Sequence, residues 1–115
     1  MKKRNLSNFL QDMLDSIAEI EAFTQDIDFK TFAANREKTL AVVKLLEILG
    51  EAVKKVPNEM RNRYPDVHWK GIAGMRDILV HEYWKVDIQV VWASVQKDVP
   101  MLKQAVEAML KEEPA

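Results

Sequence analysis

Apolar side chains return every three or four residues along most of this chain, and that spacing admits packed helices and little else. In the first segment Leu6, Leu10, Met13, Ile17, Ile20 and Ile27 mark the stripe. Thr24 fills one of its places, and Phe9, Leu14 and Phe23 widen it. This helix is expected to end between Gln25 and Asp28. A second is expected from about Phe32 to Val56, with Val42, Val43, Leu46, Leu49 and Val53 on its apolar face. Strong helix formers surround its one glycine, Gly50, and Pro57 stops it. Pro57 is placed to open a short helical turn through Asn58 and Glu59, before Pro65 and Asp66 break the chain. The third helix is expected from Trp69 to about Tyr83. The fourth opens at Asp87, a good N-cap, and reaches about Lys111. Val86, Val90 and Val91 are β-branched, but Trp92, Val95, Val99 and Leu102 continue them at helical spacing. Pro100 lies inside this helix and removes one backbone donor, which predicts a kink or short break. The tail from Glu112 to Ala115 is expected to fray. No strand pattern, internal repeat or low-complexity segment interrupts the series. The reading is all-α: an up-down four-helix bundle with its fourth helix kinked near Pro100.

A length of 115 residues fits one domain over residues 1–115, and a chain this short gains from a self-associating surface. With 17 Lys+Arg against 18 Asp+Glu the formal net charge is −1, so bulk electrostatics does not draw in nucleic acid. Any RNA contact must be local, from a few cations in a cleft. There is no cysteine, which removes a disulfide framework, a thiolate zinc site and a thiol nucleophile. No apolar run approaches the roughly 20 residues of a membrane span. The basic start, Met1 to Asn5, leads into an amphipathic stretch interrupted by Asp12 and Asp15 rather than a signal core. A cytoplasmic protein is expected.

Residues 74–84 carry the polar chemistry: Gly-Met-Arg-Asp-Ile-Leu-Val-His-Glu-Tyr-Trp. On an ideal helix Arg76 and Tyr83 nearly share a face, two turns (roughly 10 Å) apart. Asp77 and His81 are four apart, so their side chains can meet. Arg76 and His81 differ by about 140°. They converge on one ligand only if the helix loosens near His81 or a second subunit completes the site. Each residue also has a bland reading. Arg76 alone is a solvated or salt-bridged cation, His81 beside Asp77 a surface pair, and Tyr83-Trp84 a helix end with its phenol in water.

The spacing R-x-x-x-x-H-x-Y, met by Arg76, His81 and Tyr83, resembles the signature of the HepT-like branch of the HEPN superfamily. The context is similar too. Leu46-Glu-Ile-Leu-Gly-Glu-Ala52 resembles the family's second-helix motif. Tyr64-Pro65 followed by Trp69 resembles its loop, and Gly74-Met75-Arg76 the approach to the signature. Asp87, Val91-Trp92 and Asp98-Val99-Pro100-Leu102 resemble its last helix. One departure is Asp77, where many relatives carry Asn; an Asp there can orient His81 and raise its pKa, and it repels a phosphate. The resemblance implies a metal-independent endoribonuclease, without cofactor, acting as the toxin of a type VII-like toxin–antitoxin pair. Its partner would be a minimal nucleotidyltransferase that silences it by AMP transfer to Tyr83.

The residues can carry that chemistry. RNA supplies its own nucleophile, the 2′-hydroxyl, so cleavage needs a base, an acid and a cation. The imidazole of His81 can accept or donate a proton, and the guanidinium of Arg76 is a cation suited to a phosphate. One imidazole cannot accept and donate within one concerted step, so a homodimer presenting two copies of His81 and Arg76 is favoured. Asp77 and Glu51 are candidate supporting residues. Glu47 and Glu51 are four apart, like a carboxylate metal pair, but no Glu-x-x-His motif accompanies them, and Glu51 is better matched to a basic residue such as Arg76. His68 reads as a surface residue. Arg61, Arg63, Lys70 and Lys85 are candidates for an RNA path or for a merely solvated surface. The competing function is a catalytically idle module that only pairs with the nucleotidyltransferase.

Overall fold

The computed structural model describes residues 5–112. Met1 to Arg4 of the basic start and the last three residues of the tail expected to fray lie outside them; Glu112, the first residue of that tail, instead ends the last helix and pairs with Arg63. Six α-helices and one short 3₁₀ turn account for the regular structure of the described residues, which contain no strand. The helices are α1 (Leu6–Thr24), α2 (Phe29–Ala34), α3 (Arg36–Val53), α4 (Asn58–Arg61), α5 (Trp69–His81) and α6 (Ile88–Glu112), with the 3₁₀ turn Tyr83–Lys85 between the last two.

Capping decides where these helices begin. Asn5 and Asn8 exchange side-chain and backbone hydrogen bonds at the start of α1. The helix expected from Phe32 to Val56 is two helices, because Asn35 interrupts it. Asn35 leaves helical geometry (φ −102°, ψ 98°), and its side chain accepts the Lys38 backbone N–H at 3.0 Å. Asp28 caps the new segment α2 through the Thr31 N–H at 2.8 Å, which holds its carboxyl below the ordinary range. Asp87 does cap α6, accepting the Gln89 N–H at 2.8 Å. Pro100 does not break that helix, which runs continuously through it. Gln96 and Pro100 are both exposed, so water can take the carbonyl the proline leaves without a donor.

The core follows the stripe. Leu10, Met13, Ile17 and Ile20 of α1 meet Val42, Leu49 and Val53 of α3 and Val91, Leu102 and Val106 of α6, all essentially without solvent exposure. Thr24 occupies its place in the stripe by returning its hydroxyl to the Ile20 carbonyl at 2.8 Å. Packing places α1 against α3 and α6, and α3 against α5. Short α2 clamps α6 by setting Phe32 on Trp92, ring centroids 5.0 Å apart. Arg61 of α4 closes the end of α3, donating to the Val53 carbonyl at 2.7 Å and the Val56 carbonyl at 2.9 Å. None of the described helices is long and apolar enough to cross a membrane.

The tightest junction is between α3 and α5. A Cβ added to Gly50 would lie 2.4 Å from the Cβ of Arg76 and 3.1 Å from the Ile72 carbonyl oxygen. Only glycine permits this approach. Gly50→Val should therefore lower stability by about 1–3 kcal/mol through overpacking, read as a lower urea midpoint. An unchanged midpoint would mean the helices are not in contact here.

Candidate functional site

Arg76 stands in register with the buried stripe of α5. Trp69, Ile72 and Leu79 are buried, and position 76 falls between them at the same helical spacing. A cation held at a core position needs partners. Its side chain, 23% exposed, has two: Glu51 at 3.3 Å and Asp77 at 3.2 Å. The pairing of Glu51 with Arg76 agrees with the expectation from sequence. Arg76 also walls a cleft of about 470 Å³ between α1, α3 and α5, shared with Phe9, Asp12, Lys44, Glu47, Ile48, Glu51, Ala52 and Val80.

Asp77 does not orient His81. Its Oδ1 receives Lys54 at 2.5 Å as well as Arg76, so both its neighbours are cations. The hydrogen bond from Lys54, then that from Arg76, hold the Asp77 carboxyl below its ordinary value of 3.8. His81 is exposed at the last position of α5, without a polar partner among the described residues, and it is not a wall of the Arg76 cleft. The helix does stop at His81. Glu82 donates its N–H back to Ile78 at 2.8 Å, then turns to φ −137°, ψ 49°.

Tyr83 therefore lies off α5, and the shared face with Arg76 expected on a continuous helix does not exist. Tyr83 and Trp84 are both mostly exposed in the turn, so no buried apolar contact holds them in line with the helix. Tyr83 is 74% exposed and meets Trp84 edge to face at 5.5 Å.

Several candidates for an RNA path have other work. Arg61 closes α3, Arg63 pairs with Glu112 at 3.1 Å, and Lys85 pairs with Glu82 at 2.9 Å. Lys70 is exposed, and so is His68, whose ring covers Gly71 and approaches Asp98 at 3.8 Å. Glu47 faces Lys44 at 3.5 Å, and no group of three metal-ligating side chains gathers among the described residues. A larger groove of about 550 Å³ between α5 and α6 is lined mainly by apolar residues such as Met75, Ile78, Val86 and Val90, and includes neither Arg76 nor His81. Lys54, absent from the sequence reading, is the residue the fold adds. Its signal is its place four residues after Gly50, one turn further along the side of α3 that receives α5.

An all-α fold that carries Arg-x₄-His-x-Tyr across the end of its fifth helix defines a protein of HEPN type. The chain belongs to the HepT-like ribonuclease family, whose profile (Ribonuclease HepT-like) matches residues 13–109. It is 40% identical over 112 residues to "Putative RNase MJ0125" of Methanocaldococcus jannaschii, covering 97% of each chain. It is 39% identical over 109 residues to "Probable ribonuclease HepT" of Thermococcus cleftensis, covering 95% of this chain and 99% of that one. No solved structure matches the chain significantly.

The ion pairs make a pH prediction. The Asp77 carboxyl should titrate below 3.8, so its contribution to stability is whole above that pH and disappears as pH falls through the folded value. Carboxyl carbon NMR shifts followed from pH 7 to 2 read this directly. A midpoint at or above 3.8 would mean the two cations do not hold it.

Proposed function

We propose that this protein is a metal-independent endoribonuclease in which His81 moves protons and Arg76 binds the phosphate. The observation that carries the reading is a partnerless, exposed imidazole five residues beyond a guanidinium on one helix, in a chain of the HepT-like family. In the reaction a neutral His81 removes the proton of the RNA 2′-hydroxyl, and the freed oxygen attacks the adjacent phosphorus. Arg76 leaves its carboxylate partners for the phosphorane oxygens, whose growing charge it offsets. The 5′-oxygen departs with a proton from a second, protonated imidazole. The products are a 2′,3′-cyclic phosphate and a 5′-hydroxyl.

That second imidazole is His81 of another copy. Ile78 and Val90 are exposed along the groove between α5 and α6, an apolar surface suited to a two-fold homodimer. Such a dimer brings two Arg76 and two His81 to one cleft, and supplies the acid that one chain lacks. Sedimentation should then return twice 13.3 kDa. Cleavage should persist in EDTA and stop with 2′-deoxy substitution at the cut site. His81→Ala and Arg76→Ala should each lose about 10²–10⁴-fold in rate while remaining folded. A Mg²⁺ requirement for the chemical step, or full activity in His81→Ala, rejects the mechanism.

The toxin reading adds an antitoxin, a minimal nucleotidyltransferase that modifies Tyr83. The exposed phenol attacks the α-phosphorus of ATP, pyrophosphate leaves, and the phenolic proton passes to solvent. The attached AMP places a phosphodiester beside His81, adding bulk and negative charge where RNA must approach. Co-expression with the partner should add mass in multiples of AMP, lost in Tyr83→Phe; modification elsewhere refutes the assignment. A second reading, an idle module that only pairs with the nucleotidyltransferase, is favoured by the two carboxylates already on Arg76. Failure of the purified wild type to cut any RNA would establish it.

A further inference from the structure

We infer that Lys54 is a positioning residue of the RNA site: it neutralises Asp77 so that Arg76 can turn to a phosphate. The inference rests on Arg76 as the phosphate-binding cation. It starts from the local charge count. Arg76 is bracketed by the carboxylates of Glu51 and Asp77, and a phosphate reaching it would meet two like charges. Lys54 is the second cation of this cluster. It shares one oxygen, Oδ1 of Asp77, with Arg76. With Lys54 present Asp77 keeps a partner when Arg76 departs; without it the carboxylate is left facing both the guanidinium and the incoming anion.

The fold brings these residues together at the junction of α3 and α5. Gly50 lets α5 lie against α3, which sets Arg76 over Glu51 and Asp77 over Lys54, one turn further on. Surface ion pairs with 34% and 52% side-chain exposure add little to stability, so a structural role is a poor account of the contact. Placement beside the phosphate-binding guanidinium is a better one. Lys54 then acts through Asp77, and its effect depends on the charge there.

A double-mutant cycle tests this. KM and kcat for RNA cleavage, and Kd for a non-cleavable 2′-O-methyl oligonucleotide, are measured for wild type, Lys54→Gln, Asp77→Asn and the double variant. Groups in one ion-pair network depart from additivity by roughly 2- to 150-fold. Lys54→Gln should raise KM and Kd within that range with kcat nearly unchanged, and the Asp77 titration midpoint should rise. The same substitution in an Asp77→Asn background should change Kd less than twofold, and Lys54→Arg should retain wild-type KM. An equal penalty in both backgrounds overturns the inference, since Lys54 would then touch RNA itself or only hold the fold. A wild type that binds the oligonucleotide without cleaving RNA rejects the catalytic reading alone, because the Kd arm still decides the coupling. A wild type that binds no oligonucleotide overturns the inference outright.

Discussion

Where α3 and α5 meet, Gly50 leaves room for the Cβ of Arg76, and the polar arrangement of the molecule depends on that room. The contact fixes the register between two helices, and therefore which residues of one reach which of the other. Arg76 reaches Glu51, and Asp77 reaches Lys54. A methyl group at position 50 would fall 2.4 Å from the Cβ of Arg76, so the two helices would have to separate and carry these partners with them. The packing of the smallest side chain thus sets the geometry of the longest.

The site is a balance rather than a basic patch. A chain of net charge −1 has no long-range field to gather RNA, so under the proposed function that attraction falls to the local cluster. Two cations and two carboxylates in contact leave the cluster near neutral. Arg76 is thereby held at little cost in repulsion, and under the proposed function a phosphate has to compete with Glu51 and Asp77 for it. For an enzyme that acts on a polyanion present throughout a cell, such a balance favours correctly seated phosphates over loose attraction.

The helical class was legible because apolar residues recur at helical spacing in each long segment, and Asp87 could be read as a cap, whereas the caps Asn5 and Asp28 were not anticipated. The split at Asn35 was not legible. Between Phe32 and Val42 the stripe positions fall to Asn35 and Thr39, and a polar residue on an amphipathic helix looks the same in sequence as a cap, so only backbone geometry reveals it. In the site, the pairing of Arg76 with Glu51 could be anticipated from charge, whereas the Lys54–Asp77 contact joins residues 23 apart and depends on how two helices meet. The Asp77–His81 pair was drawn from spacing on one helix, and a stronger partner on another displaced it. Tyr83 was misplaced for a related reason: its heptad spacing from Arg76 holds only while the helix continues, and it does not.

That ending has a mechanical consequence. The ladder of α5 closes with the Glu82 N–H, and residues 83–85 hang on bonds of their own, Lys85 to Glu82 and Val86 to Tyr83. Losing those two bonds would undo the turn while leaving the i−4 ladder of the helix behind them in place. A group carried on the exposed Tyr83 phenol would therefore sit on this short turn, outside the hydrogen-bonded ladder of α5, and could come and go without that ladder being broken.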